Sequence, residues 1–183
     1  MKNNALFLDR DGVINVDYGY VFRVEDFVFV DGIFTLCQWF VEKNYEIFII
    51  TNQAGIAMGY YQESELHNLN DWLIAQFKKN NIEIRDIYYC PYHNNAKIKK
   101  YRRESPDRKP GTGMIDQIVK KYDINIDSAV LIGDRVSDIA AGIGAGIQHC
   151  FYLRGKYELD SNAPVFDTHY QLLNYIKTIK LLT

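Results

Sequence analysis

The segment Leu6-Phe7-Leu8-Asp9-Arg10-Asp11-Gly12 passes from three large apolar residues to two carboxylates one residue apart, and then to glycine. Such a change marks the end of a strand that is covered on both faces and followed by a turn. The arrangement recurs: Ile47-Phe48-Ile49-Ile50 gives way to Thr51-Asn52-Gln53, and Ala129-Val130-Leu131-Ile132 to Gly133-Asp134-Arg135-Val136-Ser137-Asp138. Continuous apolar runs predict buried strands, here over residues 5–8, 46–50, 86–90, 129–132 and 149–152, with a weaker one over 164–166. Helical spacing fills the intervals. It covers residues 33–44 (Ile33, Leu36, Trp39 and Phe40 on one stripe), 62–79 (Leu66, Leu69, Leu73 and Phe77), 112–122, 137–143 and 169–181. Strands alternating with helices imply an α/β fold, with a central, mostly parallel sheet and helices on both faces. Residues 1–183 are expected to form one domain.

The bulk numbers exclude several classes of function. A formal net charge of -2 gives no electrostatic case for nucleic acid or an anionic membrane surface. The local basic run of Lys97, Lys99, Lys100, Arg102 and Arg103 reads as a solvated loop. No apolar stretch is long enough to span a bilayer, and the N-terminus lacks signal-peptide character, so a cytoplasmic location is expected. Cys37, Cys90 and Cys150 are odd in number and without repeated spacing, which suits a reducing compartment.

Two long irregular stretches, residues 12–31 and 91–111, each follow a predicted strand, where open α/β sheets bind their ligands. Asp9 and Asp11 taken alone fit a solvated Asp-Gly turn. Equally, two such carboxylates can share a divalent cation, or one can attack while the other moves protons. Their setting favours chemistry. Thr51 supplies a hydroxyl, Arg108-Lys109-Pro110 supplies fixed positive charge before a helix, and Asp134 with Asp138 supplies a second carboxylate pair. All lie at carboxyl ends of strands or at helix entrances, which converge on one edge of such a sheet.

In these four motifs, taken in order, the chain resembles the haloacid dehalogenase-like phosphatases, over nearly its whole length from Leu6 to Phe166. The resemblance implies the Rossmann-like fold of that family, without a large cap domain. It implies that Asp9 attacks phosphorus to form an aspartyl-phosphate, and that Asp11 protonates the leaving oxygen and then activates water. By the same resemblance magnesium sits on the Asp9 carboxylate, the Asp11 main-chain carbonyl and Asp134. Thr51 and Lys109 hold the phosphoryl oxygens, with Lys109 also paired to the acidic cluster. Asp138 is left between two roles, an aid to the metal and a cap for the helix near Ser137.

The flanking residues resemble one branch of the family, that of the histidinol phosphatases and heptose bisphosphatases. The matching runs are Asp17-Tyr18-Gly19-Tyr20-Val21, Thr51-Asn52-Gln53-Ala54-Gly55-Ile56 and Arg108-Lys109-Pro110. The branch implies a small phosphorylated sugar as substrate, a heptose 1,7-bisphosphate losing its C7 phosphate on the way to surface polysaccharide. Histidinol phosphate or another small metabolite is the alternative, and a silent phosphosugar-binding protein a distant one. Substrate contacts are expected from Asp17, Tyr18, Gly19, Tyr20, Asn52, Gln53, Ala54, Arg108 and Arg135, with the Arg108 guanidinium gripping a second phosphate. A monomer is expected.

One feature departs from that branch, which commonly carries a structural zinc on Cys-x-His and Cys-x-Cys pairs ahead of Arg-Lys-Pro. Here Cys90-Pro91-Tyr92-His93 keeps the first cysteine but puts Tyr92 at the histidine position, and Ser105-Pro106-Asp107 replaces the second pair. Structural zinc usually takes four sulfur or imidazole ligands, so it is expected to be absent. The loop is then either ordered by packing of Tyr92 and Tyr101 or left mobile. His67, His149 and His169 have no ligand spacing to other residues, His93 reads as a surface side chain, and Trp39 and Trp72 read as core.

Overall fold

Apolar residues at successive positions of a strand face opposite sides of a sheet, so the runs that opened the sequence need helices on both faces. A computed structural model, which describes residues 2–157 and 163–179, has that arrangement. Six strands, β1 (Asn4–Leu8), β2 (Tyr45–Asn52), β3 (Ile84–Cys90), β4 (Val130–Gly133), β5 (His149–Leu153) and β6 (Val165–Phe166), form one sheet in the order β3-β2-β1-β4-β5-β6. Every pairing is parallel. Leu6, Leu8, Ile47, Ile49, Val130 and Ile132 pack on α1 (Ile33–Glu42), α3 (Glu63–Lys79) and α6 (His169–Thr178). Ala5, Phe7, Phe48, Ile50 and Leu131 pack on α4 (Gly113–Tyr122) and α5 (Val136–Gly144). Trp39 and Trp72 lie against the first of these cores, as read from sequence.

The order reverses at β1, which has β2 on one side and β4 on the other. Chains leaving β1 and β4 diverge there, and a crevice opens at the strand ends. Leu8 is level with both Ile49 and Ile132, and the Asp9 N–H continues the ladder to the Ile132 carbonyl at 3.0 Å. Asp9 is therefore placed by backbone pairing rather than by a loose turn.

Boundaries differ from expectation by a residue or two, and three differences matter. β2 runs on through Thr51 and Asn52, paired with Tyr89 and Cys90, because β3 supplies ladder partners beyond the apolar run. A short helix, α2 (Ala54–Met58), follows; five residues are too few to show helical spacing in sequence. Helix α1 ends at Glu42 because the chain turns at Asn44, whose φ is 60°. The last two positions of the helix expected over 169–181 lie outside the described residues.

Both long loops are tied down. In 12–31 the Val16 N–H donates to Val28 and the Val30 N–H to Ile14, each at 2.9 Å, burying Val13, Ile14, Val21 and Phe27. In 91–111, Ala96 and Tyr101 join Ile56, Ala57, Tyr61 and Leu66 in a small separate core, with Tyr92 packed against it. The Ile98 N–H donates to Ala57 at 3.0 Å, and the Tyr101 and Tyr89 hydroxyls both donate to Glu63. Tyr92 and Tyr101 thus pack this loop against the small core.

Candidate active site

An ammonium has three protons, and Lys109 has three acceptors in reach. Its Nζ lies 2.7 Å from Asp9 Oδ1, 2.7 Å from Asp138 Oδ1 and 2.7 Å from the Ile50 carbonyl. The side chain is almost fully buried. Asn52 delivers it there: its amide donates to the Lys109 carbonyl and accepts from the Lys109 N–H, both at 3.0 Å. The other oxygen of Asp138 accepts from the Arg135 N–H at 2.9 Å, so Asp138 caps α5 and pairs with Lys109 at once.

Asp134 is fully buried, and neither of its carboxylate oxygens has a hydrogen-bond partner. Gly12 passes so close that a Cβ there would meet Asp134 Oδ2 at 2.1 Å, and its φ of 94° also favours glycine. Oxygens of Asp9, Asp134 and Asp138 all lie within 4.8 Å of one another. Burial pushes the Asp9 carboxyl up to about 7; Lys109 opposes the rise and Asp138 adds to it. Burial likewise pushes Asp134 up to about 8, reinforced by Asp9 and Asp138. Clustered carboxylates with unpartnered oxygens suit a divalent cation, which stabilises their ionised forms.

The Asp11 carboxylate is engaged elsewhere. Arg10 Nη2 lies 2.9 Å from each oxygen, and Asn15 and Gln53 donate to it at 3.0 Å. Arg10 is fully buried between Asp11 and the Val21 carbonyl, its 2.6 Å acceptor. Thr51 Oγ1 accepts from Gln53 at 2.8 Å, which leaves its own hydroxyl proton to donate.

Above this floor is a cleft of about 500 Å³. Asp9, Asp11, Asp17, Gly19, Tyr20, Thr51, Asn52, Gln53, Ala54, Arg108, Lys109 and Arg135, all expected from sequence, reach it. Asp134 lies beneath it. Tyr18 points away: Gly19 and Tyr20 both have positive φ, Asp17 holds the Gly19 N–H at 2.8 Å, and Tyr18 is left 63% exposed at the tip. The other Asp17 oxygen accepts from Arg135 at 3.1 Å and from Tyr157 at 3.2 Å, building one rim. His93, read as a surface side chain, also borders the cleft. Arg108, half-buried, donates to the Tyr92 carbonyl at 3.2 Å.

Sequence reasoning missed Arg10, Asn15, Tyr61, Lys156 and Tyr157. The last two follow β5, and the rule that ligands gather at strand carboxyl ends identifies them. Among the described residues, the long loop offers no His/Cys/Asp/Glu group with metal-binding spacing.

The HAD-hydrolase-like family model matches residues 107–178. The chain is 40% identical over 177 residues to D-glycero-alpha-D-manno-heptose-1,7-bisphosphate 7-phosphatase of Campylobacter jejuni, covering 97% of this chain and 98% of the relative. It is 47% identical over 147 residues to the protein of the same name from Burkholderia mallei, covering 80% and 78%. The solved structure of D,D-heptose 1,7-bisphosphate phosphatase from B. bronchiseptica, complexed with magnesium and phosphate, matches with a TM-score of 0.81 at 20% identity, covering 97% and 99%. The chain belongs to the heptose-1,7-bisphosphate 7-phosphatase family of haloacid dehalogenase-like hydrolases.

Proposed function

We propose that this protein hydrolyses the C7 phosphate of D-glycero-D-manno-heptose 1,7-bisphosphate, in the supply of nucleotide-activated heptose for surface polysaccharide. The observation that carries the reading is the buried Asp9–Lys109 pair at the floor of a cleft whose wall presents Arg108. Both relatives described above are named for the alpha anomer, which supports that anomer as substrate.

In this reading Asp9 attacks phosphorus while Lys109 fixes its carboxylate. Because all three Lys109 protons are engaged, Lys109 acts on the phosphoryl group through its charge. The Thr51 hydroxyl donates to a phosphoryl oxygen. Asp11 gives a proton to the C7 oxygen as the alcohol leaves, then takes one from the water that attacks the aspartyl-phosphate. Asp9, Asp134 and the Asp11 main-chain carbonyl would hold magnesium, which would supply the charge that lets a phosphate dianion approach carboxylates. Arg108 takes the C1 phosphate, and Asp17 to Tyr20 with Asn52 to Ala54 shape the sugar pocket. The protein works as a cytoplasmic, single-domain monomer; its three free, buried cysteines fit a reducing compartment.

The test is magnesium-dependent phosphate release from both heptose bisphosphate anomers and from histidinol phosphate. Arg108→Ala is expected to raise KM on the bisphosphate roughly tenfold or more, as loss of a charge-assisted contact does, with a smaller effect on a monophosphate. Faster turnover of histidinol phosphate overturns the heptose assignment in favour of the alternative.

Burial holds the Asp9 and Asp134 carboxyls up at about 7 and about 8, above the ordinary carboxylate range. Their contribution to stability is complete below that ordinary range and is lost as pH rises through 7 to 8. Magnesium binds the ionised cluster, so it is expected to raise the melting temperature more at about pH 8 than at about pH 6. Equal shifts at the two values contradict the assignment. We further infer that the 91–111 loop needs no zinc, since Tyr92 and Tyr101 pack it against α2. Elemental analysis of the purified protein should find no stoichiometric zinc.

A further inference from the structure

We propose that Tyr61 and Gln53 are positioning residues for Asp11, setting the carboxylate that transfers the proton relative to the hydroxyl that binds phosphate; this rests on the phosphatase reading above. Gln53 is buried, and its amide is fully engaged: Nε2 donates to Asp11 Oδ2 at 3.0 Å and to Thr51 Oγ1 at 2.8 Å, while Oε1 accepts from the Tyr61 hydroxyl. Turned over, that amide would set its oxygen against the Asp11 carboxylate. The Tyr61 hydroxyl is the donor that prevents the turn, and burial pushes its pKa up, which keeps it protonated. The ring itself is held. Phe22 stacks on it with centroids 4.9 Å apart and planes 12° apart, and Gly55 leaves room where a Cβ would approach Cε1 to 2.2 Å. Arg10 and Asn15 support Asp11 from elsewhere but do not touch Thr51. Among the described residues, Gln53 is the side chain hydrogen-bonded to both groups.

The chemistry supplies a discriminating readout. In the first step the bond from Asp9 oxygen to phosphorus forms, the bond from phosphorus to the alcohol oxygen breaks, and the Asp11 proton moves to that oxygen. A sugar alcohol needs the proton to leave, whereas a nitrophenolate departs without it. A misplaced Asp11 therefore penalises the sugar phosphate more.

The experiment measures kcat and KM on the heptose bisphosphate, and the pre-steady-state burst of nitrophenolate from 4-nitrophenyl phosphate, with magnesium present. Tyr61→Phe is expected to lower kcat on the sugar phosphate about tenfold with KM within about twofold, and the burst rate by less than about threefold. Gln53→Met should widen that gap in kcat; because Gln53 also borders the sugar pocket, this variant is judged on kcat and the burst rate and not on KM, and it decides the matter if Tyr61→Phe melts near the assay temperature. Equal losses on the two substrates, a loss carried by KM, or no loss overturns the proposal. A native protein silent on both substrates overturns the phosphatase reading itself, and this inference with it.

Discussion

Asp9→Asn is expected to abolish phosphate release, by about 10⁴-fold or more, the scale seen when a catalytic nucleophile is removed. The amide keeps the shape of the carboxylate and can still accept from Lys109, but its neutral oxygen does not attack phosphorus. The loss should not come from unfolding. Burial and the neighbouring Asp138 already hold the Asp9 carboxyl up at about 7, so the substitution removes an unfavourable charge from a crowded carboxylate cluster. Without metal, at about pH 8, the variant should melt no lower than the native protein. Calorimetry and a phosphate-release assay on the same preparation separate the two effects. Appreciable turnover by Asp9→Asn would remove Asp9 as nucleophile, and loss of folding would leave Asp9 a structural rather than a chemical role.

The residues whose placement is dictated by the sheet were the most legible in sequence. Leu6 to Leu8, Ile47 to Ile50 and Val130 to Ile132 must be covered on both faces, and the polar residues following such runs in a parallel sheet gather at one edge. Asp9, Thr51 and Asp134 could therefore be grouped without coordinates. What sequence left open depends on loops folding back. Arg10 stands between two aspartates, and nothing in the sequence gives it a role of its own. Its full burial follows only from the 12–31 loop placing the Val21 carbonyl 2.6 Å from its guanidinium. Tyr18 and Tyr20 are alike in sequence, and two successive positive φ angles send one to the tip and the other into the cleft. Tyr61 follows a short helix without periodicity, and its hydroxyl gains meaning only from the Gln53 amide beside it. Asp138 had two candidate roles on sequence grounds, and its two oxygens turned out to divide between a helix cap and Lys109.

Lys109→Met combines the largest stability effect with a large loss of activity. Burial disfavours the ammonium, yet Asp138 and Asp9 hold its pKa above the ordinary lysine value. The pairs therefore outweigh desolvation, and Lys109 remains charged throughout the range in which the protein is assayed. Methionine fills similar space but leaves Asp9, Asp134 and Asp138 with no lysine among them and the Ile50 carbonyl unpaired. Removing one partner of a buried pair costs about 3–5 kcal/mol. Below about pH 6 the carboxyls take up protons, and the repulsion that methionine leaves uncompensated declines. The deficit of Lys109→Met should therefore be largest in metal-free buffer near about pH 8 and smaller near about pH 6, as read from denaturant melts at both values. Activity should fall about 10³-fold, since the cleft floor loses the fixed positive charge beside Asp9. Lys109→Arg should not restore it. A planar fork cannot meet three acceptors that surround a single nitrogen, each 2.7 Å away. An arginine variant with native kcat would mean that charge alone suffices at this position, and that the three-way geometry around Nζ has no part in aiming Asp9.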